Sequence, residues 1–136
     1  MYDMLIRMRY MGIDYGTKKV GVAFSNEDGT MAFPYDVFPN DAKLVGTLTH
    51  MAEERIVDEI VIGHSLGREG KPNKVQEAID ELVRDLTLQL GLPIHLEPEQ
   101  YTSREAERIQ GKNEKIDASA AALILNSYLM KRSHGA

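Results

Sequence analysis

The stretch Met11-Gly12-Ile13-Asp14-Tyr15-Gly16-Thr17-Lys18-Lys19-Val20-Gly21-Val22-Ala23-Phe24-Ser25 constrains the fold more than any other part of the chain. Residues 8 to 14 and 19 to 25 read as strands, the second alternating Val20, Val22 and Phe24 with Gly21, Ala23 and Ser25. So little chain separates them that only a tight turn can join them. A carboxylate, Asp14, stands at the end of the first strand, and Thr17, Lys18 and Lys19 lead into the second. A sheet edge carrying one acid, a hydroxyl and glycine-exposed backbone suits phosphate or metal chemistry.

Asn26-Glu27-Asp28-Gly29 is turn chemistry, with Gly29 able to take a positive φ, and a third strand follows from Thr30 to Phe38. Pro34 inside that strand points to an edge or a bulge. The period then changes. Leu44, Val45, Leu48, Met51 and Ala52 share one helical face, with Asn40 or Asp41 expected as the cap. Ile60-Val61-Ile62-Gly63 is the short continuous apolar run of a strand buried on both faces. A loop from His64 to Asn73 leads to an amphipathic helix marked by Val75, Ala78, Ile79, Leu82, Val83, Leu86 and Leu90 and stopped by Gly91 and Pro93. Ile94-His95-Leu96-Glu97 is the last strand, Thr102-Ser103-Arg104-Glu105 opens a short helix that Gly111 ends, and a final helix runs from Asp117 through Leu129. This order predicts an α/β fold: a mixed five-stranded sheet, three antiparallel strands then parallel ones, flanked by helices.

Residues 1–136 fit a single domain. The absence of cysteine excludes a disulfide framework and thiolate metal sites, and it fits a cytoplasmic protein. Asp3, Arg7 and Arg9 interrupt the first apolar residues, so neither a signal peptide nor a membrane partner is expected. A net charge of -5 argues against indiscriminate nucleic-acid binding, because phosphate contacts need cations. The acids, however, crowd into what read as solvated helix faces and their ends, at Glu53, Glu54, Asp58 and Glu59 and at Glu77, Asp80, Glu81 and Asp85. The bases cluster elsewhere, at Lys18 and Lys19, at Arg68, Lys71 and Lys74, and at Arg104 and Arg108, which are the candidate nucleic-acid contacts.

Three acids stand at element ends: Asp14 after the first strand, Glu99 after the last, and Asp117 at the start of the last helix. In a sheet of this topology the ends of the parallel strands are where ligands bind. Hard cations such as Mg²⁺ or Mn²⁺ take oxygen ligands and need few protein carboxylates. The chemistry such a set supports is metal-assisted phosphodiester hydrolysis.

The two ends of the chain, Gly12-Ile13-Asp14-Tyr15-Gly16-Thr17-Lys18-Lys19-Val20-Gly21-Val22-Ala23 and Ile116-Asp117-Ala118-Ser119-Ala120-Ala121-Ala122-Leu123-Ile124-Leu125-Asn126-Ser127-Tyr128-Leu129, together resemble the first and last motifs of the YqgF family, also called RuvX. The likeness runs from about Tyr10 to Leu129. It implies an RNase H-like fold and a Mg²⁺- or Mn²⁺-dependent endonuclease with Asp14, Glu99 and Asp117 as catalytic metal ligands. The implied substrate is structured nucleic acid: the 5′ end of precursor 16S ribosomal RNA, or a branched DNA such as a Holliday junction. A homodimer is allowed for. Two segments depart from the family pattern. Pro98-Glu99-Gln100 replaces Asp-Glu-Arg after the last strand, and Gly63-His64-Ser65 replaces Gly-Leu-Pro after the fourth.

Each residue also has a plainer role. Asp14 can serve its turn, Asp117 can cap its helix, and Glu99 can be a surface loop carboxylate with Glu97 as the fallback ligand. His64 is a candidate general base, though a loop histidine is more often neither acid nor base. Alternation lets at most one of Lys18 and Lys19 reach the active edge. Two other functions fit part of the pattern. One is an RNA- or ribosome-binding module of the same fold without activity; the other is a phosphate-binding hairpin of the sugar-kinase and actin type, which would need a second lobe.

Overall fold

The computed structural model describes residues 7–64, 74–98 and 115–135. Its strands are β1 (Tyr10–Tyr15), β2 (Lys19–Ser25), β3 (Ala32–Pro39), β4 (Glu59–His64) and β5 (Ile94–Pro98). The described helices are α1 (Leu44–Glu54), α2 (Lys74–Leu90) and α3 (Lys115–Gly135). The five strands form one sheet in the order β3-β2-β1-β4-β5. β1 pairs antiparallel with β2 and β2 with β3, whereas β1, β4 and β5 are mutually parallel. The mixed five-stranded sheet read from the sequence is therefore the one observed. The helix expected after Thr102 and most of the loop after His64 lie outside the described residues.

Strand alternation divides the interior in two. Ile13, Val20, Val22, Ile60 and Ile62 face one way, onto Leu44, Leu48 and Met51 of α1 and Ile79, Leu82 and Leu86 of α2. Tyr10, Ala23 and Val61 face the other way, onto Ala121, Ile124, Leu125 and Leu129 of α3. The α3 side is built from small residues so that the helix can lie close. A Cβ added to Gly12 would stand 2.8 Å from Leu125 Cβ and 3.0 Å from the Ala121 carbonyl oxygen. No helix among the described residues is long and apolar enough to cross a membrane.

Several boundaries differ from expectation for identifiable reasons. β3 starts at Ala32 rather than Thr30 because the Asn26 carboxamide oxygen accepts the Thr30 and Met31 amides at 2.9 and 3.1 Å and holds both in the turn. Pro34 does mark an irregularity: the register shifts between Val22, opposite Asp36, and Ala23, opposite Pro34, so Tyr35 is the extra residue of a bulge on an edge strand. Neither Asn40 nor Asp41 caps α1. Lys43 occupies the cap without a side-chain bond, Asp41 accepts the Lys43 amide at 2.9 Å in the preceding turn, and the Asn40 amide group donates to the Gly16 carbonyl at 2.8 Å. α3 begins two residues before Asp117, which lies in its first turn rather than at its cap, and extends past Leu129. Lys131 and Arg132 are drawn onto the sheet by Glu97 and Glu59.

The end of α1 stores strain. The Val57 amide donates to the Ala52 carbonyl at 2.9 Å and the Ile56 amide to the Glu53 carbonyl at 3.2 Å, the paired bonds of a Schellman cap. The left-handed position of that cap is normally glycine, yet here it is Ile56, with φ 55° and 68% exposure. Ile56→Gly is therefore expected to raise stability by about 1 kcal/mol, read as a higher melting temperature.

Candidate active edge

β1, β4 and β5 all end at one edge of the sheet, and there the register places Gly21, Asp14, Gly63 and Glu97 side by side on four adjacent strands. Partners in register share a face. Gly63 faces α3, since a Cβ added to it would meet the Ile124 side chain, and so Asp14 faces α3 too. The half-buried Asp14 thus has a glycine in register on each neighbouring strand, Gly21 on β2 and Gly63 on β4.

The path of α3 brings its start to this same edge. Moving up β1, the Tyr10 ring meets Tyr128 at 6.0 Å, and the Gly12 position meets Leu125 and Ala121. Each step toward the end of β1 is a step back along the helix. One further pair of residues on β1 reaches Asp14, and one further turn of α3 reaches Asp117, whose backbone lies in the first turn. Both acids accordingly belong to the α3 side of the sheet at its C-terminal edge. Glu99 directly follows the last residue of β5 in sequence and lies outside the described residues, as do Arg68, Lys71, Arg104 and Arg108. The side chain of His64 is also outside them.

Glu97 is a correction. Its carboxylate is on the right face but is spoken for: Lys131 donates to Oε2 at 2.6 Å and the Ser127 hydroxyl at 2.8 Å, and only 4% of the residue is exposed. It is a clamp between β5 and α3, not a fallback ligand. Nothing in the local pattern singled it out. The available signal was Ser127 and Lys131 one helical turn apart, able to converge on one acceptor. Lys131→Met should strand this carboxylate and cost about 2 kcal/mol in a denaturant melt, most of it recovered by Glu97→Gln in the same chain.

Of the candidate lysines, Lys18 is exposed in the turn, while Lys19 precedes Gly21 by two and so takes Asp14's face of β2. Lys74 opens α2 on the other face. The turn between β1 and β2 is pinned from just past β3, where Asn40 donates its backbone amide to the Lys18 carbonyl at 3.0 Å and its side-chain amide to the Gly16 carbonyl. At the opposite edge, a second polar cluster joins Glu59, His95 and Arg132, with His95 Nε2 2.7 Å from Glu59 Oε1. There burial pushes the Tyr10 phenol up, against the pull of Arg132 beside it. Among the described residues, no three His, Asp or Glu side chains lie close enough together to hold a metal ion.

The family described as "RuvX: Holliday junction resolvase" matches residues 8–131. The chain belongs to the RuvX family. This membership links it to nuclease-type activity on structured nucleic acid. Among its RuvX relatives, the "Putative pre-16S rRNA nuclease" of Opitutus terrae is 36% identical over 135 residues, covering 92% of this chain and 93% of that one. The protein of the same name from Nitratidesulfovibrio vulgaris is 35% identical over 132 residues, covering 90% and 93%. Solved structures share the RNase H-like fold of this RuvX chain. Thermus thermophilus RuvC in complex with a Holliday junction superposes with a TM-score of 0.62 at 10% identity over 93% of this chain and 96% of that one. The fowlpox virus Holliday junction resolvase gives 0.57 at 13% identity over 91% and 99%.

Proposed function

We propose that this chain is a Mg²⁺- or Mn²⁺-dependent endonuclease that hydrolyses phosphodiester bonds in structured RNA, its substrate being the 5′ region of precursor 16S ribosomal RNA. The observation that carries the reading is the shared placement of Asp14 and the first turn of α3, with Asp117, on one face and one edge of the sheet. The names of the relatives favour RNA over a DNA junction.

The residues present fit a hard divalent cation. Asp14 is a carboxylate oxygen donor of the kind such a cation takes, and water and a substrate phosphate would complete the coordination. The nearby Glu97 is neutralised by Lys131 and does not compete. Asp14, Asp117 and Glu99 would hold the cation, which when bound supplies Lewis acidity at the scissile phosphate and a nucleophilic water at neutral pH. Asp14, fixed by β-pairing on both sides, orients this centre, and the acid from α3 is delivered by helix packing. Lys19 and Lys74 offer charge to the phosphates on either side of the edge. No side-chain nucleophile is required.

The test is cleavage of a precursor 16S RNA fragment and of a four-way DNA junction by the purified chain, with Mg²⁺ and with chelator. Mg²⁺-dependent cutting of the RNA is expected. Binding without cutting would mean a module that kept the fold and lost the chemistry, and preferential cutting of the junction would replace the substrate.

A further inference from the structure

We propose that the far end of the β2–β3 hairpin is a second nucleic-acid site, which takes a single-stranded stretch of RNA by base stacking and one phosphate contact. The inference rests on the nuclease reading only for the identity of the strand. Phe24, Tyr35 and Phe38 form a continuous ring surface on the α1 side of the sheet, with Phe24 and Tyr35 edge to face at 5.2 Å and Tyr35 and Phe38 stacked at 6.4 Å. Phe33, opposite Phe24 in register, adds a ring that is 51% exposed, and Tyr35 is 48% exposed. Exposed rings at this density on one short strand are not explained by packing.

The Arg55 guanidinium carbon lies 4.4 Å from the centroids of both Phe24 and Tyr35. Arg55 is exposed and makes no ion pair among the described residues, so the donors of its fork remain for a phosphate. Arg7, Arg9 and Arg55 itself balance Glu27, Glu54 and Asp36, and each of these acids already has a partner. Glu27 is shared by Arg9 at 3.0 Å and Arg7 at 3.6 Å, Glu54 pairs with His50 at 3.5 Å, and Asp36 turns onto the Val37 amide. A hollow of about 390 Å³ lies between Arg9, Phe24, Glu27, Glu54 and Arg55. The strained, exposed Ile56 follows Arg55 directly, an apolar side chain held at a cost where glycine would serve the fold better.

The occupant must bring both a flat π-face and an anion. A single strand offers the two in every nucleotide, whereas a duplex hides its base faces and a proline-rich peptide brings no anion. A second copy docking symmetrically by this patch would set its arginines against each other. Addition of a strand to the edge is opposed by Pro34, which lacks an amide hydrogen, and by the bulge at Tyr35. The patch lies on the α1 face of the sheet, opposite to the face of Asp14, so a strand held there leaves the cutting face clear.

The test is fluorescence anisotropy of a labelled oligouridine of about twelve nucleotides, without divalent cations so that cleavage plays no part. Wild type is expected to bind. Tyr35→Ala and Arg55→Ala should each weaken binding about tenfold, and Tyr35→Phe should keep it. These side chains are solvent-facing, and Phe33→Ser supplies an independent variant should Tyr35→Ala disturb the bulge. Unchanged affinity in the Arg55 and Phe33 variants, equal affinity for the annealed duplex, or a dimer in sedimentation that Phe33→Ser dissolves would each overturn the proposal. None of these outcomes touches the Asp14 chemistry, which cleavage alone reads.

Discussion

Asp14→Asn is expected to lower Mg²⁺-dependent cleavage by at least about a hundredfold while leaving the melting temperature within a degree or two of wild type. The substitution keeps the shape and removes one negative charge from the centre of the proposed cation site, and charge stabilisation there is worth several kcal/mol at roughly 1.4 kcal/mol per tenfold in rate. Stability should barely move, because Asp14 is half-buried at the end of β1 and its backbone bonds to β2 and β4 are unaffected. The pairing of a large kinetic effect with a small thermal one separates a ligand from a turn former. A turn former would show the reverse.

Gly12→Ala should do the opposite damage, acting on the fold first and on activity through it. The new methyl would meet Leu125 Cβ at 2.8 Å and the Ala121 carbonyl oxygen at 3.0 Å. Neither atom is the free end of a side chain, so the strand or the whole of α3 must yield. Overpacking of this kind costs about 2–3 kcal/mol, or a melting temperature lower by about 10 °C. Because α3 carries Asp117, its displacement should also reduce cleavage well below what the folded fraction accounts for. Gly46→Ala is the control: nothing lies within 4 Å of its added Cβ in α1, so it should be neutral or mildly stabilising.

Much of the architecture was legible because it is written in local periodicity. The alternation of Val20, Val22 and Phe24, the unbroken apolar run at Ile60-Val61-Ile62 and the spacing from Val75 to Leu90 each dictate one element, and all three are found as read. Asp14 at an element end could be seen in the same way, and alternation limited the active edge to one lysine of the Lys18-Lys19 pair. What could not be read depends on partners distant in the chain. Glu97 looked available until α3 brought Ser127 and Lys131 across it. Asp41 had the right chemistry for a cap, but the chain enters α1 through a turn that spends its carboxylate one step early. The extent of α3 beyond Leu129 is set by ion pairs with β4 and β5 that no helix propensity encodes. The site is thus half local, in Asp14 and its glycine neighbours, and half tertiary, in the helix that faces them.

Manganese titration followed by electron paramagnetic resonance, on wild type, Asp14→Asn and Asp117→Asn, tests the convergence of these acids most directly. Wild type should take up Mn²⁺, and each single substitution should weaken its binding by tenfold or more, since donors from β1 and α3 serve one ion. Binding that survives Asp117→Asn undiminished, or that neither substitution alters, would contradict the account.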